Sequence, residues 1–587
     1  MKKWILTANT ADYGFYAEKL NIDRVAVKCM MNRNIDTVEK MTEFLSGNSD
    51  SSFSYEGLPE IEKAVEIIKD AAEKKLKCRV IGDYDADGVC STTVLVKGLR
   101  LFGLDTDYSI PNRITDGYGI NESIVKLAYD EGVRLIVTCD NGISAKNAIK
   151  LAKDLEMKVV VTDHHTVNPE AFPDSADAVV NPRMSENKYG FSDICGTQVA
   201  YKLLCALYKD DTSFEQIRYE LLEFAAIASV TDVMPMIKEN RSLVKWALNR
   251  LTHPVNKGLY EIVKQTNVSE KESATYYDIG FQIGPCINAT GRIDVADRAV
   301  ELFLCEDEKT IHDITENLLM INEERKSLTD IYVKKGEDCI DKMIAENTLT
   351  DKIIVLYLPD CHVSLCGLVA GRIREKYYRP TLVFADSEIG LTGSGRSTEE
   401  YDIIDGISKC SDILIKFGGH KAACGASLQK ENLDELRRRL NADAGLSDDD
   451  MIQKIRIDAD MPFGYVTEKV INDLSLLEPF GTGNPTPVFA VRNLKTVSAR
   501  RFGELRNHLI LQVKDDSGEI RRLKYWKKAD DFDNEFEKSF GKDELDKLYD
   551  GFVPSGEEKT ITVSYYPGIN VYKGNKNIEF IMKDYRL

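Results

Sequence analysis

Residues 78–94 read CRVIGDYDADGVCSTTV, and this stretch decides the fold. CRVI is a short apolar run of strand composition. The acids and glycines behind it make a tight turn, and an apolar-rich helical stretch follows. A strand that passes through a turn into a helix is half of a parallel crossover unit. Two further apolar runs end in the same way, RLIVTCDNGIS at 134–144 and KVVVTDHH at 158–165, with amphipathic segments between them. That rhythm predicts an α/β domain with a parallel sheet over roughly 75–250. The helix IEKAVEIIKDAAEKK (61–75) leads into it, with Ile61, Ala64, Ile67, Ile68 and Ala71 on one face.

All three strands deliver polar groups at their carboxyl ends, where open parallel sheets form their sites. The first brings Asp83, Asp85 and Asp87, the second Asp140, the third Asp163 with His164 and His165; Asp232 in SVTDVMP is a fourth candidate. An aspartate behind a strand is ordinarily a turn former or a helix N-cap, and Asp83 alone could cap a helix beginning near Cys90. D-x-D-x-D-G also echoes a calcium loop, but position twelve counted from Asp83 is Val94, not the required Glu. The joint pattern is different. Carboxylates crowded on one rim bind hard divalent ions, and added imidazole shifts the preference from Mg²⁺ toward Mn²⁺. Two such ions stabilise the attacking and leaving oxygens of a phosphoryl displacement. Gly88 is expected to permit the sharp turn that crowds the aspartates.

Outward from this centre the chain divides into further parts. Residues 1–50 read as a helical lead-in, 51–250 as the catalytic domain and 251–345 as a connecting helical region ending in a long charged helix over 308–345. A second, smaller α/β domain spans 346–445, with DKIIVLYLPD, LCGLVAGRIREKYY and RPTLVFAD followed by the glycine-rich GSGRS and FGGHKAACG. Residues 446–587 turn to short alternating strands past Pro485, the pattern of an OB-like β-barrel.

With 587 residues, several cores are expected. The 13 cysteines are scattered without a C-x-x-C pair, which points to buried thiols in a reducing, cytoplasmic setting rather than disulfides or structural zinc. No apolar run approaches the roughly 20 residues that span a bilayer, and the start MKKWILTANTADYG lacks the apolar length of a secretory signal. The net charge of −19 argues against a uniformly basic nucleic-acid surface; any such groove has to be locally basic, and composition alone leaves the substrate open. Arg500, Arg501, Arg506, Arg521, Arg522, Lys524, Lys527 and Lys528, interleaved with Tyr525 and Trp526, supply such a surface in the barrel.

DYDADG, CDNGIS, TDHH and the SVTDVMP aspartate, in this order, resemble the motifs of the DHH phosphoesterases. The resemblance implies that Asp85, Asp87, Asp140, His164 and Asp232 hold two metal ions, Mn²⁺ or Mg²⁺, with Asp83 at the edge of the site. It implies that His165 lies near the scissile phosphate and that Asp163 orients the histidines. The family's partner module, DHHA1, is matched by Arg396 and Ser397 of GSGRS and by Gly418, Gly419 and His420 of FGGHKAACG, as phosphate-binding groups. INATGRID contributes Asn288 and Arg292 to the substrate cleft by the same likeness. In DCHVSLCGLVAGR the family's aromatic position is taken by Cys361, a departure that leaves the role of that segment open.

LEPFGTGNPTPVF (477–489), INEERK (321–326) and EKYYRPTLVF (375–384) resemble the family's long single-strand-specific DNA exonucleases, and the likeness covers nearly the whole chain. It implies 5′-to-3′ degradation of single-stranded DNA to mononucleotides in repair and recombination, by a monomer whose expected partner is a single-strand-binding protein. A hydrolase of short RNA oligonucleotides or cyclic dinucleotides is the alternative. A degenerate DHH binding protein would have lost ligands that this chain retains, and a pyrophosphatase would not need the β extension.

Overall fold

The computed structural model describes the chain outside residues 1, 8–10, 48–53, 113–118, 294–296, 346–350, 552, 555 and 573–574, and outside the side chains of 290, 292, 293, 571, 572 and 575. Two compact units result. One holds Ser49–Pro235 with Glu239–Ile452; the other joins Met1–Asn48, Met236–Lys238 and Gln453–Leu587.

In the first unit, five parallel strands lie in the order Thr106–Ser109, Cys78–Ile81, Leu135–Cys139, Lys158–Thr162, Ala178–Val180. By chain order this is 2-1-3-4-5, so the winding direction reverses between Cys78–Ile81 and Leu135–Cys139. A crevice opens at such a switch point, at the carboxyl ends of the strands. Both central strands are buried throughout, as expected of a parallel sheet covered on two faces. The helix Ala86–Leu101 is buried along almost its whole length, packed against Gly196–Leu207 and Arg218–Thr231. At Gly98 a Cβ would stand 2.3 Å from the Leu204 side chain, so the helices touch through that glycine.

The long helix runs from Glu308 to Ala345 as its charge pattern predicted. The sheet that follows is mixed: Ile354–Tyr357 pairs parallel with Thr381–Ser387, and the antiparallel strands Gly390–Arg396, Ala423–Leu428 and Leu414–His420 continue it to the edge.

In the second unit, Phe489–Phe502, His508–Lys514, Ile520–Tyr525, Asn575–Arg586 and Thr560–Tyr572 pair in sequence, and the last returns to the first to close a five-stranded barrel. Two helices not foreseen from the strand pattern, Ala529–Phe540 and Lys542–Asp550, are inserted after the third strand and bury Phe532, Phe536 and Leu548. The lead-in is not purely helical. Lys3–Leu6 is a strand paired parallel with Lys454–Ile457, and Met30 and Met41 from its helices share one core with Phe463, Phe489 and Tyr565. Hydrophobic contact therefore assigns the N-terminal segment to the C-terminal unit.

Candidate metal centre and substrate groups

The loop Gly82–Asp85 turns Cys78–Ile81 into the helix that starts at Ala86, four residues earlier than the sequence suggested. Its cap is Asp85, whose carboxylate accepts the N–H groups of Asp87 and Gly88, both at 3.0 Å. Gly88 serves by its size rather than by an unusual dihedral: a Cβ there would lie 2.2 Å from the carbonyl oxygen of Asp83. The loop can fold back on the helix start only while that position is empty.

Asp87 is held from the opposite side. The N–H groups of Gly196 and Thr197 donate to it at 2.7 and 2.8 Å, and the Thr197 hydroxyl at 2.6 Å. These are first-turn donors of a helix N-terminus, which have no intrahelical partner and favour an anion there. Asp140 follows its strand in the left-handed region, at φ +59°, a conformation that concentrates at functional sites. Its neighbour Asn141 donates to the carbonyls of Ile81 and Cys139 and so ties the two central strands at the switch point.

Asp163 is buried and satisfied. One oxygen accepts His164 N–H, His165 N–H and His165 Nδ1 at 2.7, 3.0 and 2.8 Å, and the other accepts Ile143 N–H. Burial pushes this carboxyl up, but the His165 hydrogen bond and the two histidine charges bring it below its usual value. Burial lowers the His165 ring while its bond to Asp163 raises it, and the outcome is about 9. Arg183 Nε and Asn181 Nδ2 hold the carbonyls of His164 and His165.

The groups singled out by sequence converge here. His164 Nε2 lies 3.1 Å from an Asp140 oxygen and 3.6 Å from oxygens of Asp87 and Asp232, the last at the C-terminus of Arg218–Thr231. Three sets, Asp83 with Asp85 and Asp140, Asp87 with His164 and Asp232, and Asp140 with both histidines, each place candidate ligand atoms within 4.8 Å of one another. Burial first, and then the neighbouring acids, push Asp140 and Asp232 well above the usual carboxylate range. Burial lowers His164, whose two ring nitrogens are buried and, among the described residues, make no hydrogen bond. Crowded buried acids around an unsatisfied imidazole fit divalent cations: ions neutralise the mutual repulsion and fill the place of the missing hydrogen-bond partner.

Across the same unit, His420 is lowered by burial and then by the nearby charges of Arg396 and His165, so both sheets contribute to one electrostatic environment. Arg396 ends its strand packed against Gly367, where a Cβ would lie 2.7 Å from the guanidinium. Gly418 and Gly419 sit on the exposed edge strand beside His420. Ser397 differs from the expectation for a phosphate donor: it is buried, its hydroxyl donates to the Tyr401 carbonyl and its N–H to the Ala422 carbonyl. Asn288 Oδ1 accepts the Ala86 N–H at the metal loop. Arg292 stands near the end of the helix Gly284–Ile293, with its side chain outside the described residues. In the barrel, Arg501, Arg521, Lys524 and Lys528 are engaged by acids and Tyr525 is buried. Arg500, Arg506, Arg522, Trp526 and Lys527 remain exposed.

The sequence reading missed Gly196 and Thr197 as holders of Asp87, and Asn141, Asn181 and Arg183 as supports. The signal for the first pair was the start of the helical stretch GTQVAYKLL (196–204), which by itself does not name its partner.

Comparison with known proteins agrees with this geometry. Residues 77–229 match the DHH family N-terminal domain, 350–445 the DHHA1 domain and 457–584 the RecJ OB domain. The single-stranded-DNA-specific exonuclease RecJ of Bacillus subtilis (strain 168) is 31% identical over 573 residues, covering 97% of this chain and 68% of that protein. RecJ of Escherichia coli (strain K12) is 28% identical over 90% of each chain. The crystal structure of RecJ from Thermus thermophilus in complex with Mn²⁺ superposes with a TM-score of 0.80 at 25% identity, over 100% of this chain and 79% of that one. The chain belongs to the RecJ family of single-stranded-DNA-specific exonucleases.

Proposed function

We propose that the chain degrades single-stranded DNA from the 5′ end to mononucleotides, using two divalent ions, Mn²⁺ or Mg²⁺, and that it serves DNA repair and recombination in the cytoplasm. The observation that carries the reading is the meeting of Asp83, Asp85, Asp87, Asp140, His164 and Asp232 at the switch point, in a chain that also has the DHHA1 and barrel modules. The oxygen-rich donor set with one imidazole suits Mn²⁺ and Mg²⁺, and the manganese of the Thermus relative supports the same choice. When bound, such ions neutralise phosphate charge and make a water nucleophilic near neutral pH.

The protein's own groups do the positioning. Asp163 orients His165 through Nδ1 and favours its imidazolium form, whose Nε2–H can give a proton to a phosphate or leaving-group oxygen. Arg396 offers a planar fork to a phosphate, and Gly418 and Gly419 let backbone N–H groups approach it. The exposed basic and aromatic groups of the barrel suit a single strand. Recruitment by a single-strand-binding protein and action as a monomer complete the proposal.

The test is digestion of 5′-blocked and 3′-blocked single strands with Mn²⁺, beside a duplex and an RNA control. Nucleotide release from the 3′-blocked strand alone is the expected result. Release from the 5′-blocked strand refutes the polarity, and hydrolysis confined to short RNA or cyclic dinucleotides refutes the substrate.

A further inference from the structure

Two stacked rings on the surface of the catalytic unit have no part in the site described above. Tyr277 and Phe281 have centroids 4.7 Å apart and planes at 17°, yet they are 58% and 60% exposed. A single exposed aromatic needs no explanation. Two rings held face to face in water, on a segment that runs into the metal centre, do.

Tyr276–Asp278, the π-turn Ile279–Ile283 and the helix Gly284–Ile293 are continuous, and such π-turns occur often at functional sites. Gly280 and Gly284 press this segment onto Val230 and Thr231, beside Asp232. Further along, Asn288 holds the Ala86 N–H of the metal loop. Phe281 precedes Asn288 by seven residues, across the π-turn and the first turn of the helix. Two cations of the long helix lie near the Cys286 thiol: Arg325, which donates to Asn322, and Lys326, 45% exposed and ion-paired with the more exposed Glu323.

We propose that Tyr277 and Phe281 form a stacking platform for unpaired bases of the substrate strand, on the segment that leads to the metal loop. Arg325 and Lys326 would contact phosphates near the platform, Lys326 by exchanging its surface partner Glu323. Aromatic platforms combined with a basic track are the general means of holding a single strand without reading its sequence. A duplex cannot use this one, because each base within it is already stacked on both faces. The inference rests on the single-stranded-DNA reading given above and adds the place where the strand is gripped.

The experiment compares kcat/KM on a 20-nucleotide strand and on a dinucleotide too short to reach the rings. In Tyr277→Ala, Phe281→Ala and the double variant the ratio of the two values falls about tenfold or more per ring, through KM on the long strand. Phe281→Trp retains the ratio. Strands carrying 5-iododeoxyuridine at successive positions from the 5′ end crosslink to Tyr277 or Phe281 on near-ultraviolet irradiation at one of them. An unchanged ratio, an equal loss on both substrates, or crosslinks only elsewhere overturns the platform. A change of sedimentation with the ratio unchanged also overturns it and assigns the rings to contact between copies of the chain. If the wild-type protein digests long strands and the variants match it, the platform alone fails; if the wild type releases nothing from any long strand, the substrate reading fails and takes the platform with it.

Discussion

Thr197→Val isolates what the N-terminus of Gly196–Leu207 does for the metal centre. Valine keeps the shape of a fully buried side chain and removes a hydroxyl that donates to Asp87 over 2.6 Å. A hydrogen bond to a charged acceptor contributes about 1.5–3 kcal/mol net, and short O–H···O⁻ contacts are among the strong ones. Two backbone donors, Gly196 and Thr197 N–H, still hold Asp87, so the carboxylate stays in place but gains freedom to rotate. Groups that orient a ligand in this way typically govern metal affinity by about 10–100-fold, which matches the energy of the lost bond at about 1.4 kcal/mol per factor of ten. The half-saturating Mn²⁺ concentration for digestion of a single strand should rise by that factor. The rise in melting temperature on adding Mn²⁺ should shrink in parallel, while Thr197→Ser stays close to wild type. A Thr197→Val protein that folds normally and needs no more Mn²⁺ than wild type refutes the claim that this hydroxyl positions Asp87.

Three further outcomes follow from the same structure. Asp140→Asn removes one charge from a buried acidic cluster, so the metal-free protein should melt at a higher temperature while activity and the Mn²⁺-dependent rise are lost; a lower metal-free melting temperature contradicts the repulsion argument. Gly88→Ala places a Cβ 2.2 Å from the Asp83 carbonyl oxygen, and overpacking of this kind costs about 1–3 kcal/mol; calorimetry should show a lowered transition and the assay little hydrolysis, whereas wild-type activity would mean the loop has room. Burial raises Glu223 to about 7, against its hydrogen bond from Val255 N–H and its ion pair with Arg250. Its folded value lies above its unfolded value, so this stability is complete below about pH 4.5 and lost as pH rises through about 7. Glu223→Gln should flatten the fall in melting temperature between pH 5 and 8, an effect on the order of 1–3 kcal/mol at the alkaline end; an unchanged slope counts against it.

What could be read from the sequence was set by how local each cause is. The strand-loop-helix at 78–101 was legible because its periodicity, glycines and acids fall within one short window. The candidate ligands were legible because a parallel sheet sends every strand end to the same rim. Their supports were not, since Thr197 lies 110 residues from Asp87 and a Gly-Thr at a helix start looks the same whatever anion it faces. The strand Lys3–Leu6 was missed for a similar reason, as its partner Lys454–Ile457 lies 451 residues further along the chain. Gly88 and Ser397 mark a subtler limit. Sequence expected Gly88 to permit the sharp turn, for which the structure supplies the cause, close approach to the Asp83 carbonyl. It offered the Ser397 hydroxyl to a phosphate, where the fold commits it to the Tyr401 carbonyl. The common physical cause is satisfaction of polar groups. A motif declares which donors and acceptors exist, and only the packed chain decides which remain free for a ligand. At the metal centre that decision runs against stability. Buried acids are gathered around His164, whose ring nitrogens have no hydrogen-bond partner among the described residues, an arrangement that costs free energy until cations arrive. Such a concentration of unmet demand at one strand rim is a stronger sign of function than any one of the motifs that supply it.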